Sequence, residues 1–175
     1  MLTLVIGGAA SGKSAYAESL LACKTGRRYY IATMQPFGEE AMARIAKHRC
    51  MRAQKQFTTI ECYTGLASVQ LPERGHVLLE CMSNLTANEL YSPEGAGEAA
   101  KDAILSGVEQ LCRQCDSLVI VSNEVFTGGN QYAGDTDTYL HLLADVNREL
   151  AKRADRVCEV ICGQAFDYKG TEDKL

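Results

Sequence analysis

Short apolar runs recur along the chain at Leu2 to Ile6, Tyr29 to Thr33, Val77 to Cys81, Leu118 to Ser122 and Val157 to Cys162, and segments with a helical repeat separate them. The runs are apolar on successive residues, which predicts strands covered on both faces rather than half-exposed ones. Helices are expected from about Lys13 to Cys23, Glu39 to Met51, Glu98 to Cys115 and Asp137 to Ala154. Strand and helix alternate, so the expected fold is α/β: a doubly wound, mostly parallel sheet with helices on both faces and its ligand site beyond the carboxyl ends of the strands. Two glycine-rich segments, Tyr91 to Gly97 and Thr127 to Gly134, read as loops, and the polar stretch 169–175 reads as a tail outside one domain spanning 1–168.

Between the first run and the first helix lies Gly7-Gly8-Ala9-Ala10-Ser11-Gly12-Lys13-Ser14, which fits G-x-x-x-x-G-K-[ST] in the strand–loop–helix setting that the motif requires. Small residues let backbone N–H groups converge on phosphate oxygens. Lys13 is placed to reach the outer phosphates, Ser14 to ligate Mg²⁺, and the helix N-terminus adds a favourable dipole. The alternative is a chance glycine-rich turn. The motif makes the expected fold P-loop NTPase-like, and by itself leaves kinases, GTPases, ATPases and nucleotidyltransferases open.

Two other features narrow the chemistry. Val77-Leu78-Leu79-Glu80 is an apolar run ending in a carboxylate, the arrangement in which an acid holds a metal ion or its water opposite the loop hydroxyl, so Glu80 joins Ser14 as a candidate metal-site residue. The competing reading is a strand-end glutamate in solvent. Arg44, His48 and Arg52 recur every four residues and would share one helix face, with neighbouring Cβ atoms about 5–6 Å apart. Two guanidiniums flanking an imidazole suit a phosphate chain and could set a ring nitrogen against phosphorus, making His48 a candidate nucleophile. The same stripe also reads as a solvated cationic face. His76 and His141 read as structural.

Composition removes several classes. Hydrophobic residues make up 46% of the 175-residue chain, enough for one core, and the net charge of −4 does not provide the basic footprint of a nucleic-acid binder. No apolar run approaches the roughly 20 residues of a membrane span, and the opening Met1 to Ile6 lacks the basic flank of a signal peptide, so the cytoplasm is the expected location. The eight cysteines are then expected to be reduced, and the lone Cys112-x-x-Cys115 pair reads as helix thiols rather than a metal or redox site.

Taken in order, Gly7-Gly8-Ala9-x-Ser11-Gly12-Lys13-Ser14, Tyr30-Ile31-Ala32-Thr33, Ala43-Arg44-Ile45-x-x-His48, Glu61-Cys62, Leu79-Glu80-Cys81, Val121-Ser122-Asn123-Glu124-Val125 and Ala151-x-x-Ala154-Asp155-x-Val157 resemble one family. It is the bifunctional adenosylcobinamide kinase and adenosylcobinamide-phosphate guanylyltransferase family of cobalamin biosynthesis, and the resemblance covers most of the chain. It implies phosphorylation of the corrinoid's aminopropanol hydroxyl by a nucleoside triphosphate, ATP or GTP, followed by transfer of GMP from GTP to that phosphate. By motif position His48 would carry the GMP as a phosphoramidate. The implied nucleotide contacts are Gly7, Gly8, Ala9, Ala10, Ser11, Gly12, Lys13, Ser14, Ala32, Thr33, Met34, Arg49, Cys50, Met51, Arg52, Glu61 and Glu80, with Glu61 accepting the guanine N–H donors. Mg²⁺ is the implied cofactor, adenosylcobinamide the partner small molecule, and a homo-oligomer, commonly a trimer, the implied assembly. The chain departs from the family pattern at Lys47-His48, where members often carry two histidines, and at Phe126-Thr127-Gly128-Gly129-Asn130-Gln131, where Gly-x-Gly-Ile-Val-Pro is usual. Readings without the covalent step are a small-metabolite kinase and, from another class, a nucleotide-binding regulatory module.

Overall fold

The computed structural model describes residues 1–36, 56–125 and 134–170. Seven strands form one sheet in the order β3-β2-β4-β5-β1-β6-β7. They are β1 (Leu2–Gly7), β2 (Arg27–Ala32), β3 (Phe57–Glu61), β4 (Gly75–Glu80), β5 (Ser117–Asn123), β6 (Arg156–Ile161) and β7 (Gln164–Lys169). Every pairing is parallel except that of β6 with β7. The described helices are α1 (Lys13–Ala22), α2 (Met82–Tyr91), α3 (Ala100–Gln114) and α4 (Asp135–Arg153), with single 3₁₀ turns at Leu66–Ser68 and Gly97–Ala99.

Alternate strand residues sort the core into two layers, because successive side chains point to opposite faces. Val5, Tyr30, Leu78, Val119, Val121 and Val160 pack beneath α1 with Ala17 and Leu21. Leu4, Ile31, Leu79, Leu118 and Ile120 pack on the other face with Met82 and Leu85 of α2, Ile104 and Leu111 of α3, and Leu143, Val146 and Leu150 of α4. The expected single-domain, doubly wound architecture with helices on both faces is therefore present. None of the described helices is long and apolar enough to cross a membrane.

Three elements were not expected. The edge strand β3 exposes Thr58, Thr59 and Glu61, and β7 is exposed along most of its length, so neither has the continuous apolar run of a buried strand. Helix α2 starts directly after β4 with Cys81 at its N-cap and no side-chain cap, and Tyr91, read as the start of a loop, is its last residue. Lys169, placed in the tail, belongs to β7. The helix expected from Glu39 to Met51 and the loop before Gly134 lie outside the described residues.

Gly107 lets α3 close on the 3₁₀ turn. A Cβ there would stand 2.6 Å from Leu66 Cβ and 2.9 Å from the Ala67 nitrogen. A Gly→Ala change inside a helix ordinarily stabilises by about 1 kcal/mol. Here overpacking reverses the sign, and Gly107→Ala is expected to destabilise by about 1–3 kcal/mol, read as a lower denaturant midpoint at unchanged slope.

Candidate active site

The phosphate loop is shaped by what surrounds it. A Cβ on Gly7 would lie 2.5 Å from Ser11 Oγ and 2.7 Å from the Val160 carbonyl, so only glycine lets the chain turn over β6 at this point. Gly12, at φ 92°, occupies the left-handed region and delivers the chain into α1 with no side-chain cap. The first amides of α1 therefore face the loop without a side-chain acceptor, as an anion site requires. The Lys13 ammonium folds back and donates to the Gly8 carbonyl at 3.0 Å. Ala9, Ala10 and Gly12 are exposed, whereas Gly8, Ser11, Lys13 and Ser14 are half-buried.

A buttress that the sequence reading missed supports the loop from the side. The two-residue turn between β6 and β7 has Cys162 at φ 50° and Gly163 at φ 78°, matching the primed turns that join antiparallel strands. The Gly163 amide donates to the Ser11 carbonyl at 2.8 Å. Its Cα would lie 3.2 Å from a Cβ on Gly12. The terminal hairpin thus packs directly on the glycine that opens α1. On the other flank, the Glu124 amide donates to the Gly7 carbonyl at 3.0 Å, which ties the end of β5 to the start of the loop.

Glu80 ends β4 on the face that carries α1. Its Oε1 accepts the Ser14 hydroxyl at 2.5 Å, and its Oε2 accepts the Tyr30 hydroxyl at 2.8 Å. A hydroxyl and a carboxylate side by side are hard oxygen donors, a set that suits Mg²⁺ completed by substrate phosphates and water rather than an all-protein cage. Among the described residues, no group of three or more His, Cys, Asp or Glu side chains converges as such a cage would.

The crest beside Glu80 carries the next candidates. Ala32 ends β2, Thr33 is fully buried and Met34 is half-buried. Thr33 Oγ1 donates to the Cys81 carbonyl at 2.9 Å and accepts from the Cys81 amide at 2.7 Å. The Asn88 side chain of α2 donates to the carbonyls of Thr33 and Tyr63 at 2.8 and 2.9 Å, bracing the loops after β2 and β3 together. Glu61 stands apart. It ends the edge strand β3, four positions from β1 in the sheet, which at strand spacing is about 19 Å from the start of the phosphate loop. It is exposed, and its Oε2 accepts the Tyr63 hydroxyl at 3.0 Å.

The structure thus gathers Gly7 to Ser14 with Glu80, sets Ala32 to Met34 along the same crest and leaves Glu61 at the sheet edge. His48, Arg44, Arg49, Cys50, Met51 and Arg52 lie outside the described residues. Tyr30 and Asn88 were not singled out as site residues. The available signal for Tyr30 was a phenol hydroxyl inside the otherwise apolar run Tyr29 to Thr33. Cys112 lies on α3 and Cys115 at its C-cap, with no disulfide between them. Burial pushes the Cys115 thiol up to about 11, with added repulsion from Cys112.

Comparison with known proteins supplies the chemistry that this geometry serves. A family model described as cobinamide kinase / cobinamide phosphate guanyltransferase matches residues 3–168. The bifunctional adenosylcobalamin biosynthesis protein CobU of Escherichia coli (strain K12) is 32% identical over 183 residues, covering 97% of this chain and 100% of the relative. The protein of the same name from Salmonella typhimurium shows the same identity and coverage. The bifunctional adenosylcobalamin biosynthesis protein CobP of Pseudomonas aeruginosa is 30% identical over 174 residues, covering 97% of this chain and 98% of its own length. With the match running from the first strand through the last, the chain belongs to the cobinamide kinase / cobinamide phosphate guanyltransferase family.

Proposed function

We propose that this protein phosphorylates the aminopropanol hydroxyl of adenosylcobinamide with ATP or GTP and then transfers GMP from GTP to the new phosphate, giving adenosylcobinamide-GDP. Within the family, the observation that carries the reading is the 2.5 Å contact of the Ser14 hydroxyl with Glu80 at the mouth of a formed phosphate loop. Loop amides and the α1 N-terminus bind the triphosphate, and the Lys13 ammonium leaves the Gly8 carbonyl for a phosphate oxygen. Ser14 and Glu80 would hold Mg²⁺, which would supply charge neutralisation on the phosphate oxygens. In the second reaction an unprotonated ring nitrogen of His48 attacks the α-phosphorus of GTP. The bond to the β-phosphate oxygen breaks, pyrophosphate leaves, and a P–N bond to GMP remains. A phosphate oxygen of the corrinoid then attacks the same phosphorus, frees His48 and closes the diphosphate. Splitting a transfer between two bulky substrates into two displacements is what a covalent nucleophile achieves.

Ala32 to Met34, Arg49 to Arg52 and Glu61 complete the nucleotide contacts in this reading, with Glu61 accepting guanine N–H groups. Its exposure and its position at the sheet edge suit a group that meets the base end of the nucleotide rather than the phosphates. The protein works in the cytoplasm as a homo-oligomer.

The direct test incubates the protein with Mg²⁺ and GTP labelled at the α-phosphorus, then denatures it. Label that is acid-labile, alkali-stable and confined to the peptide containing His48 is the expected result. GTP binding without retained label would exclude the covalent route.

A further inference from the structure

Tyr30 is 3% exposed, packed under α1 among Val5, Ala17, Leu21 and Leu78. Its ring meets Phe57 of β3 edge-on, with centroids 6.3 Å apart and planes at 78°. A phenylalanine would fill this position, so packing does not account for the hydroxyl. The register shows where the hydroxyl goes. Tyr30 pairs with Leu78 across β2 and β4, and Glu80, two residues further along, projects from the same face. The phenol O–H reaches Glu80 Oε2 at 2.8 Å while Ser14 takes Oε1 at 2.5 Å, so each carboxylate oxygen accepts one fixed hydroxyl.

From this geometry we infer that Tyr30 is a positioning residue of the metal–nucleotide site, holding Glu80 turned so that Ser14 spends its proton on the carboxylate and keeps its oxygen lone pairs for a divalent cation. The inference rests on the reading of Ser14 and Glu80 as the metal-holding pair and adds the group that orients it. Without the phenol O–H, Glu80 is free to rotate about its terminal torsion, which is broad for a carboxylate. Ser14 then loses its fixed acceptor and can turn a proton toward the cation. Groups one step behind a metal ligand typically change metal affinity by about 10–100-fold when removed.

The test is a Mg²⁺ titration of nucleotide binding, using a GTP analogue with a methylene bridge between the α- and β-phosphorus so that no transfer occurs, with Mn²⁺ paramagnetic resonance as a second readout. Tyr30→Phe is expected to raise the half-saturating Mg²⁺ concentration by about 10-fold. Its analogue affinity in EDTA is expected to stay within about 2-fold of the parent, because the loop amides and Lys13 are untouched. Glu80→Gln is measured beside it, and so is the double variant. If Tyr30 acts through Glu80, adding Tyr30→Phe to Glu80→Gln changes the Mg²⁺ requirement no further, a non-additivity that a packing defect would not produce. Unchanged Mg²⁺ dependence in Glu80→Gln would overturn the metal-pair reading itself. Weakened Mg²⁺ binding in Glu80→Gln with parental behaviour in Tyr30→Phe would overturn the role of Tyr30 alone, as would equal losses with and without Glu80. Should Tyr30→Phe lower affinity in EDTA as much as in Mg²⁺, the hydroxyl serves the fold and the inference fails.

Discussion

In a His48→Ala protein, guanylyl transfer is expected to fall by on the order of 10⁴-fold or more in kcat, the scale on which other covalent catalysts lose activity with their nucleophile. Phosphorylation of the corrinoid hydroxyl should continue, because that reaction passes the γ-phosphoryl group directly to the acceptor and needs positioning and charge stabilisation instead of a covalent relay. Lys13→Ala provides the contrast. Lys13 follows Gly12 at the opening of α1, and its ammonium already lies over the loop, 3.0 Å from the Gly8 carbonyl. In the proposed reading both reactions draw on a triphosphate held there, so both should drop by about 10²–10³-fold, the usual loss when one preorganised donor to developing phosphoryl or oxyanion charge is removed. The pair is read by assaying each half separately, with γ-label followed into corrinoid phosphate and α-label into corrinoid-GDP. Equal loss of both halves in His48→Ala would refute the assignment of the nucleophile to one half. Loss of a single half in Lys13→Ala would mean that the two triphosphates occupy different sites.

The parts of this site that were legible in the sequence are those made by contiguous residues. The phosphate loop joins β1 to α1, so its strand, glycine and lysine signals stand next to one another. Glu80 was legible because it ends an apolar run, and a charge in that position calls for a partner. Which partners it has depends on strand order. Tyr30, on β2, reaches Glu80, on β4, only because the sheet places these strands side by side with β3 on the outside, and no periodicity within either segment encodes that adjacency. The hairpin buttress was hidden for a different reason. Its second strand is an exposed edge whose residues answer to solvent on most positions, so its pattern carries little information beyond the Cys162-Gly163 turn. Helix α2 lacks a side-chain cap to announce its start, although two of its polar residues, Asn88 and Glu89, fix the loops that frame the crest.

Glu89 supports the last expectation, the largest effect on stability foreseen for a single side chain. It is 1% exposed, and its carboxylate spans two loops, accepting the Gly65 amide at Oε1 (2.7 Å) and the Ala96 amide at Oε2 (3.0 Å). Replacing it by leucine keeps an aliphatic body on α2 but leaves both part-buried amides without their acceptor, toward the lower end of the roughly 1–3 kcal/mol that an unsatisfied donor costs. Glu89→Leu is therefore expected to lose about 2–5 kcal/mol, a large share of the roughly 5–15 kcal/mol available to a domain. At the few degrees per kcal/mol typical of this chain length, the thermal midpoint should fall by about 5–15 °C. Glu89→Gln retains one acceptor oxygen and should lose about half as much, ranking between parent and leucine. The consequence reaches the site through the adjacent residue, since Asn88 donates to Thr33 and Tyr63 from the same turn of α2. Nucleotide affinity in Glu89→Leu should weaken at temperatures well below its unfolding transition, as the crest at Thr33 and Met34 loosens before the sheet melts. Parental affinity throughout that range would confine Glu89 to global stability and uncouple α2 from the nucleotide crest. A parental midpoint would mean that water or a backbone shift satisfies both amides once the carboxylate is gone.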